Sequence, residues 1–307
     1  MKMVQPSTWD EALAARAADP DLLPIAGGTD VMVDINFDRC RPSGLLDLTR
    51  VEELRHWSND DGTVALGAGV TYAQVTADLA ALLPGLAMAS RTVGSPQIRN
   101  RGTVAGNLGS ASPAGDAHPP LLASDAEVEV ASVRGTRRIP VSGFFTGVKR
   151  SALEPDELIR AVHVPCAGGP QQFSKIGTRN AMVIAVASFA VALDPSAGLV
   201  GTGLGSAAPT PRRATDAERY LVDELASGGF WESRAQLPAS VVRRFGELVA
   251  AAASPIDDVR GSAAYRRHAL DVMARRTLTW AWAEYAEGYR GDRADERRDD
   301  RRGEAAS

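Results

Sequence analysis

Residues 92–116 read TVGSPQIRNRGTVAGNLGSASPAGD, and the rest of the chain takes its meaning from this stretch. It interleaves glycine with serine, threonine and asparagine, and it ends in an acid ahead of an apolar run. Glycine lets a backbone come close to a ligand and turn its N–H groups inward, an arrangement that suits a pyrophosphate. A second segment of the same character lies upstream, Ile25-Ala26-Gly27-Gly28-Thr29-Asp30, directly after Leu22-Leu23-Pro24. Two widely separated segments of this kind point to a dinucleotide held between two subdomains, whereas a hydrophobic core has no need of them.

At 307 residues the chain can bury a sizeable core and is expected to split into two domains. Hydrophobic residues make up 44% and charged residues 23%, which is ordinary for a soluble globular protein. A formal net charge of −4, with no Lys/Arg block on an amphipathic helix, gives no reason to expect nucleic acid. No apolar run approaches the ~18 residues of a membrane span, and Met1 opens no signal-peptide pattern. Cys40 and Cys166 lack CxxC spacing, so this chain cannot hold a 2Fe–2S cluster or a four-ligand zinc ion by itself. They are expected to be small buried hydrophobes in a reducing cytoplasm. His56, His118, His163 and His268 show no metal-ligand spacing.

On the N-terminal side, Thr8 to Ala18 reads as a short helix capped at Ser7 or Thr8, and Leu22 to Ala26 as a buried strand entering the first glycine segment. Leu45 to Leu48 reads as the next strand. His56–Asn59 and Thr63–Gly67 flank Asp60-Asp61-Gly62, a hairpin signal. Thr71 to Leu83 reads as a helix stopped by Pro84-Gly85, and Pro120 to Ser124 as a turn or two of helix. Glu127–Val133 and Arg137–Val141 form a second expected hairpin, followed by a strand over Glu157–Val164. After the linker-like Ala167-Gly168-Gly169-Pro170, a three-stranded meander is expected over Gln171–Ile176, Met182–Leu193 and Leu199–Leu204. The chain then turns helical, and Ala263–Tyr285 carries an apolar stripe through Leu270, Met273, Leu278 and Trp282. Residues 289–307 mix both charges with almost nothing apolar and read as a disordered tail.

The motifs IAGGTDVMVDINFDR, TVGSPQIRNRGTVAGNLGSASPAGDAHPPLLASDAEVEV and FSKIGTR, in this order, resemble those of the FAD-binding subunits of molybdenum hydroxylases. That is the xanthine dehydrogenase and carbon monoxide dehydrogenase group, and the resemblance runs from residue 1 to about 285. It implies an α+β protein: a vanillyl-alcohol-oxidase-like (PCMH-type) FAD-binding domain over 1–166, with subdomains of about 1–55 and 56–166. A C-terminal domain over 170–288 would combine a three-stranded antiparallel sheet with a helical bundle.

The resemblance also implies roles for particular residues. Ala26, Gly27, Gly28, Thr29 and Asp30 would offer backbone amides to the FAD pyrophosphate, with Thr103, Val104, Ala105, Gly106 and Asn107 closing from the other side. Asp116 would accept from a ribose or ribityl hydroxyl, Lys175 would sit near the isoalloxazine, and Ile159 would pack against a ring system. Plain alternatives stand beside these. Asp116 could cap a helix, Lys175 could be a solvated edge-strand lysine, and Gly27-Gly28 could be a tight turn after a strand. Two departures matter. Ala105 stands where the family often has glycine, which requires a negative φ there. The first segment carries no histidine, so FAD is expected to be bound non-covalently.

The resemblance therefore implies a FAD-carrying medium subunit of a three-subunit enzyme, with no catalytic acid or base of its own. The molybdenum cofactor would lie on a large subunit and the 2Fe–2S clusters on a small one. Electrons would pass through FAD to NAD or another acceptor such as oxygen or a quinone. AGGTD followed by VMVDINF favours a xanthine dehydrogenase-like enzyme over the carbon monoxide branch, which more often has AGGHS. Another heterocycle or aldehyde hydroxylase, a stand-alone FAD oxidase of the same fold, and a scaffold that has lost flavin are the competing readings.

Overall fold

The computed structural model describes residues 1–289, so the charged tail expected over 289–307 lies, but for its first residue, outside the described residues. The N-terminal unit is a small parallel sheet of β1 (Lys2–Val4), β2 (Leu23–Ile25) and β3 (Gly44–Asp47) in the order β1-β3-β2. Helix α1 (Trp9–Ala18) follows β1 and buries Trp9, Ala12 and Leu13; the Thr8 hydroxyl caps it by accepting from the Glu11 amide at 3.2 Å. Strand β1 carries no sequence signal, since its three residues are too few to show a period. Helix α2 (Val31–Asn36) is likewise unexpected; it starts at the end of the first glycine segment and has no buried residue.

An antiparallel sheet comes next, made of β4 (Trp57–Asp60), β5 (Thr63–Gly67), β6 (Glu127–Ser132), β7 (Gly135–Pro140) and, beyond the short ribbon of β8 (Phe145–Gly147) and β9 (Arg150–Ser151), β10 (Leu158–Pro165). The strand order is β4-β5-β10-β6-β7. Asp61 and Gly62 both take left-handed φ (48° and 78°), the two-residue turn that an Asp-Gly pair favours.

Two expectations fail between these strands. Helix α3 (Tyr72–Asp78) ends before Pro84, and the proline opens a further helix, α4 (Pro84–Thr92), at a position where a missing N–H costs nothing. The glycine-rich stretch is not a continuous loop. It holds α5 (Pro96–Arg99) and α6 (Val104–Ser110), nucleated by Ser95 and Thr103, whose hydroxyls accept from the amides of Ile98 and Gly106. Helices α7 (His118–Ala123) and α8 (Val141–Phe144) complete this part.

The C-terminal meander is β11 (Gln171–Ile176), β12 (Ala187–Asp194) and β13 (Leu199–Gly205). β12 begins at Ala187 and not at Met182, whose left-handed φ of 50° is incompatible with an extended strand. Helices α9 (Thr215–Ser227), α10 (Phe230–Ser233), α11 (Ala239–Ala251) and α12 (Ala263–Ala286) cover the sheet, and Leu270, Met273, Leu278 and Trp282 are buried in a common core with Phe189 and Phe245. Both cysteines are half-buried, not fully buried as expected. No described helix is long and apolar enough to cross a membrane.

The two halves meet where α4 and α7 lie on the meander. Ala89, Ala123, Phe173 and Ala190 form a small shared core there. A Cβ on Gly201 would fall 2.0 Å from the Ala123 carbonyl oxygen, and one on Gly203 at the same distance from that of Pro119. β13 therefore carries glycine at alternate positions so that α7 can rest on its backbone. Gln171 accepts from the Gly85 amide at 3.1 Å, and Arg213 bridges Asp125 and Glu218. These contacts fix where β11 stands relative to the glycine-rich stretch.

Candidate functional site

The site grows from the end of β2. The chain leaves the sheet through Ala26, Gly27, Gly28, Thr29 and Asp30 and turns into α2, all but Asp30 half-buried. Gly28 takes a left-handed φ of +75°. A Cβ on Gly27 would lie 1.9 Å from the carbonyl oxygen of Arg101, so this position accepts only glycine and the two glycine segments are in direct contact. Among the described residues, no protein acceptor engages the amides of Gly27, Gly28, Thr29 and Asp30.

The second segment is held just as firmly. Thr103 accepts from the Gly106 amide at 2.9 Å and bridges to Thr71 across the chain. Tyr72 donates its amide to the Gly102 carbonyl at 3.0 Å. Ala105 lies inside α6 without a positive φ, so an alanine is accommodated there without backbone strain. Asn107 donates its amide to the Thr103 carbonyl and accepts through its side chain from the Ala117 amide at 3.4 Å.

Lys175 reaches this region from β11, 59 positions along the chain from Asp116. Its ammonium lies 2.6 Å from one oxygen of Asp116 and 3.2 Å from the Thr92 carbonyl, and the two side chains are 8% and 9% exposed. That rules out a solvated lysine although β11 is an edge strand. The helix-cap reading of Asp116 fails as well, because Ala117 occupies the cap position of α7 and makes no side-chain bond. Burial pushes the Asp116 carboxyl above the usual carboxylate range, opposed by the Lys175 ammonium and the Thr92 hydroxyl.

Two buried polar atoms near these segments have no partner: the second oxygen of Asp116 and the Tyr72 hydroxyl. Buried polar groups are nearly always satisfied, so their clustering here points to a polar ligand. The sequence alone assigns no binding role to Tyr72. A tyrosine at the start of a helix reads as core. Ile159 is buried in the N-terminal core, and its Cδ1 would lie 3.9 Å from a Cβ placed on Gly109 of α6.

Between α4–α5 and the chain after β11 lies a cleft of about 450 Å3, lined by Arg91, Arg99, Lys175, Arg179 and Asn180 among others. None of its lining residues is acidic. Together the parts offer free amides in a glycine cradle, a buried carboxylate with a spare oxygen, and a cationic cleft beside them. This donor set fits a ligand that has a pyrophosphate, a hydroxylated chain and an electron-accepting ring. Among the described residues, no group of three or more His, Cys, Asp or Glu could hold a metal ion.

Comparison with known proteins bears on the same regions. The family described as FAD binding domain in molybdopterin dehydrogenase matches residues 1–167, and the CO dehydrogenase flavoprotein C-terminal domain matches residues 172–281. The xanthine dehydrogenase FAD-binding subunit of Escherichia coli O157:H7 is 29% identical, over 90% of this chain and 94% of that protein. The nicotine 6-hydroxylase medium subunit of Paenarthrobacter nicotinovorans is 31% identical, over 92% and 98%. In three dimensions, a chain of carbon monoxide dehydrogenase from Hydrogenophaga pseudoflava superposes with a TM-score of 0.84 at 28% identity, covering 92% of this chain and 97% of that one.

Proposed function

The chain belongs to the FAD-binding medium subunits of the molybdenum hydroxylases, and on that basis we propose that it receives electrons from a 2Fe–2S partner and delivers them to NAD or another acceptor. FAD is its cofactor, while the molybdenum cofactor and the 2Fe–2S clusters belong to the large and small partner subunits. FAD, when bound, supplies the conversion between one-electron and two-electron transfer.

The work of this chain's own residues is to bind and orient. The amides of Ala26, Gly27, Gly28, Thr29 and Asp30 would take the pyrophosphate, with Thr103, Ala105, Gly106 and Asn107 opposite. Asp116 would use its spare oxygen on a hydroxyl of the cofactor while Lys175 holds the other. Lys175 would also keep a positive charge close to the flavin, favouring its reduced, anionic form. Ile159 would serve only by packing. The cationic cleft favours an anionic acceptor, which supports NAD. We divide the chain at residues 166 and 170, with the cofactor held by the first part and Lys175 supplied by the second.

The observation that carries this reading is the contact between Gly27 and Arg101, which closes a cradle of unengaged amides beside the buried Asp116–Lys175 pair. For the holoenzyme we favour xanthine as substrate, on the AGGTD-VMVDINF motif. The complex purified from its host should reduce NAD with xanthine. Turnover of carbon monoxide or nicotine with xanthine left untouched would overturn the choice of substrate.

A further inference from the structure

We propose that Tyr72 is a cofactor-positioning residue whose buried hydroxyl donates a hydrogen bond to an oxygen of the FAD pyrophosphate. This role rests on the FAD-binding function proposed for the cradle and adds a residue that neither the motifs nor the family resemblance single out.

Tyr72 is the first residue of α3 and only 3% exposed. Its backbone is locked from several sides. Thr71 caps the helix in a reciprocal pair with Gln74, and Thr71 bridges to Thr103. The Tyr72 amide donates to Gly102, and its carbonyl accepts from the Thr76 hydroxyl at 2.9 Å. The ring packs on Gly102, where a Cβ would fall 3.3 Å from the ring's Cδ2. The same imagined Cβ would lie 3.4 Å from the Thr29 hydroxyl, so Gly102 packs against both the ring and the first glycine segment.

The phenol is thus anchored at the junction of the two segments, and its oxygen has no partner in the protein. Burial, with the negative charges of Asp116 and Asp30 nearby, holds it protonated and far above the ordinary tyrosine range. A phenol kept protonated at a ligand cradle is a donor awaiting an acceptor. A buried hydroxyl left without one costs stability, and a phosphate oxygen would remove that cost.

The test compares wild-type and Y72F complexes, stripped of flavin and reconstituted with FAD. Phenylalanine keeps the ring on Gly102 and deletes only the O–H. FAD affinity, read from quenching of flavin fluorescence, is expected to fall about tenfold or more, as for a lost hydrogen bond to a charged group. The 31P resonances of bound FAD should shift in Y72F, a readout that a purely structural tyrosine would leave unmoved. Equal affinity with unchanged 31P resonances would overturn the proposal, and so would weaker binding with unchanged resonances. If the wild-type chain itself failed to take up FAD, the family reading would fall and this inference with it.

Discussion

His118 shows how much one buried side chain can set at the scale of a residue. It is wholly buried, its ring lies 4.6 Å from that of Phe145, and burial lowers its pKa to about 4 from an ordinary 6.5. In the unfolded chain it takes up a proton as pH falls through 6.5, whereas in the folded chain it does not until about 4. Its contribution is therefore intact above pH 6.5 and is lost progressively down to about 4, amounting to on the order of 3 kcal/mol. Asp116 acts with the opposite sign, since its raised pKa lets the folded state take a proton first. Urea unfolding across this window should show a shallower loss of stability on acidification for His118→Gln than for the wild type. At this scale the sequence is half legible. Asp116 and Lys175 stand out within motifs, but their mutual pairing does not, because nothing local links residues so far apart along the chain. Tyr72 looks like core because its ring is core. Only its oxygen is unusual, and that shows in three dimensions alone.

Elements are legible where a period or a turn signal is strong. The Asp61-Gly62 hairpin, the meander and the stripe of α12 all obey short-range rules. The misses share a cause. α5 and α6 are short helices held by Ser95 and Thr103 caps inside a glycine-rich stretch of low helical propensity, so tertiary contact decides them. Pro84 reads as a stop, but proline serves equally to open a helix. The glycines of β13 look like weak strand residues, yet they are what lets α7 approach. Gly203→Ala would place a methyl group against the Pro119 backbone, which cannot yield as a flexible side chain can. A loss of about 1–3 kcal/mol is expected in chemical denaturation, whereas Gly143→Ala, with open space around its Cβ and no left-handed φ, should cost less.

At the scale of the whole molecule, the chain brings an N-terminal cradle and a C-terminal lysine together by resting α4 and α7 on the meander. The order of motifs makes this assembly readable, since the resemblance spans both halves. The order of the motifs carries the family and not the substrate, since relatives near 30% identity are named for chemically unlike molecules. The decisive experiment measures the flavin content of the complex purified from its host, for wild type and for Gly27→Ala. A yellow wild-type complex that releases FAD on acid precipitation is expected, together with molybdenum and 2Fe–2S subunits. The Gly27→Ala complex should be depleted of flavin while its circular dichroism stays native. A colourless wild-type protein, or a Gly27→Ala variant that retains its full complement of FAD, would refute the glycine cradle as the cofactor's seat.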